Sequence, residues 1–353
     1  MVMTAARITL KDVARETGFS VNTVSRALRD DSMLSGQTRA VIQKTADDMG
    51  YIKNNFASTL RSGTSHLIAI VINDISNPHS SYVISDIERY LRTAGYDVLI
   101  LKSSKDGDEN LSGNHIIRIA VTQSVDGILY FPYQHDHTSI DFMERSEIPY
   151  VLVDRKVDGV EADVVCCDDV GGGRLAAEHF LGQGHRSFLY VRGPAYSSSQ
   201  IDRERGFVGA LREGGIPLSD IHFLSDGILY RPDGAGRLAA LLKKEGITAS
   251  LVFRDEVAYL MINQLKKVGV NVPQDLSVIG FDHLYGFFPY LQPLTSVFCG
   301  ADQSLGQTAA RLLLGRIKNP SLPAREKVFP VELFEEGTTR ALSTAFGVKR
   351  RAL

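Results

Sequence analysis

The sequence predicts an α/β protein in which a small all-helical head precedes a larger body of parallel sheets. The first observation is length: 353 residues exceed one ordinary core and call for two or three compact units. The second is a change of pattern near Gly63, from short capped helices before it to apolar strands alternating with helices after it. The third is charge: residues 1–64 hold nine Lys and Arg against six Asp and Glu, whereas the remainder holds thirty against thirty-five. A basic segment on an acidic body is the footprint expected of a nucleic-acid-binding head, although +3 over such a length also fits an ordinary solvated surface.

Composition narrows the class further. Hydrophobic residues at 44% and charged residues at 23% are those of a globular chain, which excludes disordered and fibrous classes. No apolar run approaches the ~18 residues that span a bilayer, and Met1 to Thr17 lack the apolar core of a leader peptide. Cys166, Cys167 and Cys299 give neither a disulfide framework nor metal-ligand spacing, so the expectation is a reduced, cytoplasmic compartment.

In the head, Thr9 is placed to cap a first helix, with Asp12 three residues on completing a capping box. Leu10, Val13 and Ala14 share one face of that helix, Gly18 ends it, and Ser20 caps a second. There Val24, Ala27 and Leu28 turn inward while Val21, Asn22, Ser25 and Arg26 point elsewhere. Two short helices about a glycine turn fit a helix-turn-helix, and fit a plain helical hairpin as well. A third helix, capped by Ser35, carrying Val41, Ile42 and Met49 and ended by Gly50, completes a small core and favours the helix-turn-helix. The chemistry agrees with that reading. Asn22 can pair with adenine, Arg26 with guanine and Val21 with a thymine methyl, while Thr9, Thr23 and Ser25 can donate to phosphates.

The runs ITLKDVARETGFSVNTVSRAL and TRAVIQKTADDMGYIKNNFASTLRSG resemble the headpiece and hinge of the lactose/galactose-repressor (LacI/GalR) family. By that resemblance Val21, Asn22 and Arg26 fall at base-reading positions. Asn55 to Leu60 fall on a short hinge helix that follows Asn54, with Ala57 against the minor groove and Leu60 as the wedge that kinks the operator centre. Read without the resemblance, Leu60 is equally a linker residue buried on the core. Lys53 departs from the proline usual there.

The body reads as strands HLIAIVIND, YDVLIL, VDGILYF, YVLVD, SFLYVRG, SLVF and LSVIGFD separated by helices, which implies parallel sheets covered on both faces. Leu-(Lys/Arg)-x-x-Gly recurs at Leu91, Leu211 and Leu265, each read as a helix ending at glycine and turning directly into a strand. Gly171 to Gly173 lack dinucleotide or phosphate-loop spacing and are read as a helix start or tight turn. His135 and His137 beside Asp136 form no zinc motif, and no Gly-x-Ser-x-Gly elbow occurs. The expectation is therefore no enzyme, no cofactor and no metal.

The resemblance continues through DISNPHSSYVISDIE, RLAAEHFLGQGHRSFLYVRGP, LKKVGVNVPQDLSVIGFD and PLTSV, and implies a core similar to periplasmic sugar-binding proteins, with a ligand cleft between two lobes. The expected units are a headpiece over 1–53, a hinge over 54–64, a first lobe over 65–163 with 297–326, and a second lobe over 164–296 with 327–353. Ligands of such sheets sit beyond the carboxyl ends of strands, which points to Asn77, His79, Ser80, Tyr130, Arg155, Arg203, Arg254 and Asp282. The resemblance makes Arg203 and Asp282 effector contacts. Arg254 either meets an acidic effector or pairs with Asp255, Glu256 or Asp282. The implied protein is a homodimeric regulator, in the repressor sense, of a pseudo-palindromic duplex operator, controlled by a sugar, sugar acid or sugar phosphate. The tail beyond Thr339 shows no heptads for a tetramer, and FEEGTTR departs from the family ending. The rival readings are a solute receptor and a sugar-converting enzyme.

Overall fold

The structure, a computed structural model, describes residues 8–52, 63–103, 112–195, 197–299 and 304–342. The chain divides into two compact units, Met1–Ser65 and His66–Leu353.

The first unit holds helices α1 (Leu10–Thr17), α2 (Val21–Ala27) and α3 (Gly36–Asp48). Each begins at a side-chain cap. The Thr9 hydroxyl accepts from the Asp12 amide while the Thr9 amide donates back to the Asp12 carboxylate, and Ser20 and Ser35 accept from the amides of Thr23 and Thr38. Gly18 ends α1 at φ 72°, a left-handed backbone that costs glycine least. The core of the three helices is Val13, Ala14, Val24, Ala27, Ile42 and Ala46. Each fully buried branched side chain there contributes about 1.5–3 kcal/mol. Val41, read from periodicity as a core residue, is 49% exposed, because the inward stripe of α3 runs through Ile42 and Ala46 instead.

The second unit carries two six-stranded sheets. The first is ordered β11-β5-β4-β3-β1-β2 and the second β12-β10-β9-β8-β6-β7. The first comprises β1 (Leu67–Ile72), β2 (Asp97–Lys102), β3 (Gly127–Tyr130), β4 (Tyr150–Val153), β5 (Val164–Cys167) and β11 (Glu326–Phe329), all parallel. The second comprises β6 (Phe188–Arg192), β7 (Ile221–Ser225), β8 (Ala249–Val252), β9 (Ser277–Phe281), β10 (Ser296–Cys299) and β12 (Val331–Phe334). Its last strand corrects the all-parallel expectation: β12 runs antiparallel to β10, since only Pro330 separates it from β11 of the other sheet. Thr338, within the unusual FEEGTTR ending, ties this strand's continuation to β9 by donating to the Val278 carbonyl at 2.7 Å.

Helices α4 (Pro78–Thr93), α5 (Gly113–Thr122), α6 (His137–Arg145) and α12 (Leu305–Lys318) belong to the first lobe. The second lobe has α7 (Asp169–Gly182), α8 (Ser198–Glu213), α9 (Gly234–Lys244), α10 (Asp255–Lys267) and the single turn α11 (Leu284–Phe287). The chain changes sheet after residues 167, 299 and 329, three or four residues beyond the expected crossings, because β5, β10 and β11 each pair before they cross. The three Leu-(Lys/Arg)-x-x-Gly segments close alike: Gly95, Gly215 and Gly269 have φ near 80°, and the next amide reaches back to Leu91, Leu211 and Leu265. Only Gly95 leads straight into a strand; several residues intervene after Gly215 and Gly269.

The glycine run begins α7. Asp168 caps it by accepting from the Gly171 amide at 2.8 Å. A Cβ on Gly173 would lie 2.0 Å from the Arg203 carbonyl, and one on Gly206 would lie 1.9 Å from the Val170 carbonyl. Both glycines thus let α7 and α8 meet backbone to backbone.

Candidate functional site

In the first unit the residues expected to touch DNA cluster at the start of α2. Val21 is 41% exposed, Asn22 and Ser20 are exposed, and Thr23, Ser25 and Arg26 are half-buried. Thr9 stands exposed at the start of α1. Arg26 is oriented from behind: its Nε donates to Asp31 at 2.7 Å, holding the guanidinium charged and the carboxyl below its usual range. Asp31 is therefore a positioning partner that periodicity did not single out. Asn54, Asn55, Ala57 and Leu60 lie outside the described residues.

In the second unit, Asn77, His79, Arg155, Arg203, Arg254 and Asp282 line one cavity of about 120 Å³ at the strand ends. Parallel strands deliver them there. Asn77 follows β1 and caps α4, Arg155 follows β4, Arg254 follows β8 and Asp282 follows β9, while Arg203 comes from α8. Of seven described non-glycine residues with positive φ, three (Asp154, Asp282 and His283) are at or beside this cavity. Backbone strain concentrated there is the mark of a site whose surroundings over-determine it.

Buried charges meet in pairs. His79 Nε2 lies 3.2 Å from Asp154. Burial opposes the imidazolium, but the Asp282 and Asp154 carboxylates outweigh it and push His79 up to about 9. Asp154 is in turn drawn well below its ordinary value: burial works the other way, and His79 dominates it. Arg203 is used on every side. Its Nε donates to Asp169 at 2.7 Å, its Nη1 donates to the Phe253 carbonyl, its Nη2 lies 3.5 Å from Asp282, and its guanidinium stacks 3.5 Å from the Phe281 ring centroid. Burial pushes Asp282 up, against the pull of His79 and Arg203. Arg254 pairs with Glu256 at 2.7 Å and lies 3.7 Å from Asp74, so its charge is met inside the protein. Asp255 is not its partner; that carboxyl is fully buried, accepts from the Leu284 amide and Ser296 hydroxyl, and is pushed well up by burial.

Arg155 has more open donors than the other cations of the cavity. Among the described residues its Nε and Nη1 are buried without a hydrogen-bond partner. Asn73 Nδ2, His79 Nδ1, Gln200 Oε1 and Arg254 Nε, on the same cavity, are without a hydrogen-bond partner too. A buried polar atom left unpaired costs about 1–3 kcal/mol, so these atoms mark the part of the cavity whose hydrogen-bonding capacity the protein itself leaves unused.

Two expected residues belong elsewhere. Tyr130 is fully buried between β3 and the helices behind it, its hydroxyl donating to Asp136, because side chains alternate along the strand and this one falls on the far face. Ser80 is buried in the first turn of α4 and does not line the cavity. Residues the sequence reading missed are Gln200, Phe253 and Asp169; the acidic pair before the glycine run was the available signal for the last. A second cavity, about 270 Å³, shares His79 with the first and is lined by Tyr82, Phe287, Phe298 and Phe334. It supplies aromatic surface beside the first cavity.

The cysteines also correct an expectation. Cys167 and Cys299 form a disulfide with Cα atoms 5.9 Å apart across a separation of 132 residues. Spacing could not reveal it, because β5 and β10 are brought together only by the crossovers.

Comparison with known proteins follows this geometry. The profile of bacterial regulatory proteins of the lacI family matches residues 9–54, and that of the periplasmic binding protein-like domain matches residues 177–339. The HTH-type transcriptional regulator DegA of Bacillus subtilis is 29% identical over 347 residues, covering 96% of this chain and all of DegA. The lac repressor dimer bound to operator and the anti-inducer ONPF superposes with a TM-score of 0.79 at 25% identity, over 95% of this chain and 100% of that one. A LacI family transcriptional regulator from Enterococcus faecium with bound ribose gives 0.68 at 26% identity, over 78% of this chain and 100% of that one. These relatives are regulators rather than enzymes. The head profile, the core profile and relatives aligned over nearly the whole chain agree: this protein carries a lacI-family DNA-binding head and a periplasmic binding protein-like core, and is similar over nearly its whole length to LacI-family regulators.

Proposed function

We propose that this protein is a cytoplasmic, homodimeric repressor that reads a pseudo-palindromic duplex operator and releases or grips it according to a small polyhydroxylated acid held in the cleft. Each α2 enters a major groove with Val21, Asn22 and Arg26 toward the bases and Thr9, Ser20, Thr23 and Ser25 toward phosphates. Asn54, Asn55, Ala57 and Leu60 continue into the minor groove at the operator centre. The likeness to the operator-bound lac repressor dimer supports both the dimer and the docking.

Bound ribose in the enterococcal relative supports a sugar-like ligand. The observation that makes it acidic is Arg155. Arg203 is hydrogen-bonded to Asp169 and Arg254 lies within ion-pair distance of Glu256 and Asp74, with only its Nε lacking an acceptor, whereas Arg155 keeps two buried donors, Nε and Nη1, without acceptors. A sugar carboxylate or phosphate completes Arg155, while hydroxyls use Asp282, Asn73 and Gln200. A ligand that binds one lobe arrangement better than another shifts the population, and with it the spacing of the two heads.

Calorimetric titration with matched neutral and acidic sugars tests this. The acids bind at least about tenfold more tightly, and Arg155→Ala removes that preference, as expected for a lost charge-assisted bond. Arg254→Ala leaves the preference in place. Equal affinity for neutral and acidic forms, or a preference that survives Arg155→Ala, refutes the acidic effector.

A further inference from the structure

The two ends of the disulfide lie where the second unit changes sheet. Cys167 is the last residue of β5, directly before Asp168 caps α7 of the second lobe. Cys299 is the last residue of β10, the strand from which the chain returns toward α12 of the first lobe. A bond between them therefore ties two of the three crossovers on which one lobe can turn against the other. Alternation along β5 makes the pairing specific. Cys167 faces the layer that holds Cys299, and Cys166 faces the opposite layer, among Ile117, Ile128 and Leu152. Cys299 lines the 270 Å³ aromatic cavity beside the effector cleft, which gives a small reagent a route to its sulfur.

We propose that Cys167 and Cys299 are a reversible oxidation site for hydrogen peroxide, and that their disulfide pins the lobes. The Cys299 thiolate attacks one peroxide oxygen. The O–O bond breaks, an S–O bond forms, and hydroxide leaves to be protonated to water. The Cys167 thiolate then attacks the Cys299 sulfur, the S–S bond replaces the S–O bond, and a second water departs. Two thiols are oxidised and one peroxide is reduced to two waters.

The chemical part is independent of the proposed effector and operator; the pinning of lobes rests on that reading. The test uses the full chain, prepared with dithiothreitol and then exposed to hydrogen peroxide. Free thiols in denaturant fall from three to one, the intact mass drops by two hydrogens, and dithiothreitol reverses both. Cys166→Ala still forms the bond; Cys167→Ala and Cys299→Ala each abolish it. Oxidation raises the melting temperature of the second unit by about 5 °C or more. It slows amide exchange at the ends of β5 and β10 by about tenfold. Three thiols surviving peroxide, or a bond that uses Cys166, overturns the site. A Cys167–Cys299 bond that leaves exchange and melting unchanged overturns the pinning while leaving the effector reading untouched.

Discussion

His79 shows how a single residue couples the cleft to pH. It is 7% exposed and faces Asp154 and Asp282, with Arg203 behind them. Its pKa in the folded protein, about 9, stands above its ordinary 6.5, so the folded state holds the proton more tightly than the unfolded one. The stabilisation is therefore complete below pH 6.5 and is lost as pH rises through 9. The whole difference is on the order of 3 kcal/mol. Denaturant unfolding of the second unit should show its midpoint falling across that window in the wild type. His79→Gln should be less stable at pH 6.5 and nearly flat between 6.5 and 9.5. A wild-type midpoint equal at both ends would remove the imidazolium from the cleft. Arg203 illustrates the opposite use of a charge. With Asp169, Phe253 and Asp282 all held by it, its charge is spent on fixing the cavity wall.

Elements differ in how plainly the sequence announces them. Head helices were legible because each carries its own stop and start: Thr9 with Asp12, Gly18, Ser20, Ser35 and Gly50 all act within a few residues. Long inner strands such as LIAIVI were legible from apolar runs. The four-residue strands β5, β10, β11 and β12 were not, because they owe their existence to partners more than a hundred residues away, or to the far side of a crossover. The cleft was found through strand ends, and Tyr130 was misplaced because being at a strand end does not say which face a side chain takes. Two substitutions test elements directly. Thr9→Ala removes the capping box of α1 and should cost the head about 1 kcal/mol in thermal unfolding. Gly173→Ala inserts a methyl against the Arg203 backbone and should cost about 1–3 kcal/mol while weakening ligand binding, since α8 carries Arg203. Gly209→Ala on the same helix meets open space, and should be neutral or stabilising by up to about 1 kcal/mol. If the two glycine variants behaved alike, backbone contact between α7 and α8 would not be what fixes Arg203.

Charge is distributed unevenly over the chain. The body beyond residue 64 holds thirty basic against thirty-five acidic residues, while the head holds nine against six. Within the head, Arg15, Arg26 and Arg39 already lie within ion-pair distance of Asp12, Asp31 and Asp30, which tempers non-specific attraction without removing it. Affinity for duplex DNA should therefore come from two heads acting together, each meeting three or four phosphates by an order-of-magnitude count. Selection from a random duplex pool with the intact protein should enrich a palindrome with a deformable central step. A chain beginning at His66, the start of the second compact unit, should enrich nothing and still bind the acidic sugar. On the enriched duplex, raising salt from about 50 to 200 mM should lower affinity by on the order of a thousandfold or more. Arg26→Ala should relax the base preference at one position of each half-site and keep most of that salt dependence, because it reads a base and does not neutralise a phosphate. If instead it lowered affinity for every sequence alike and flattened the salt response, Arg26 would be a phosphate contact. Specificity would then have to come from Val21, Asn22 and the bending of the operator.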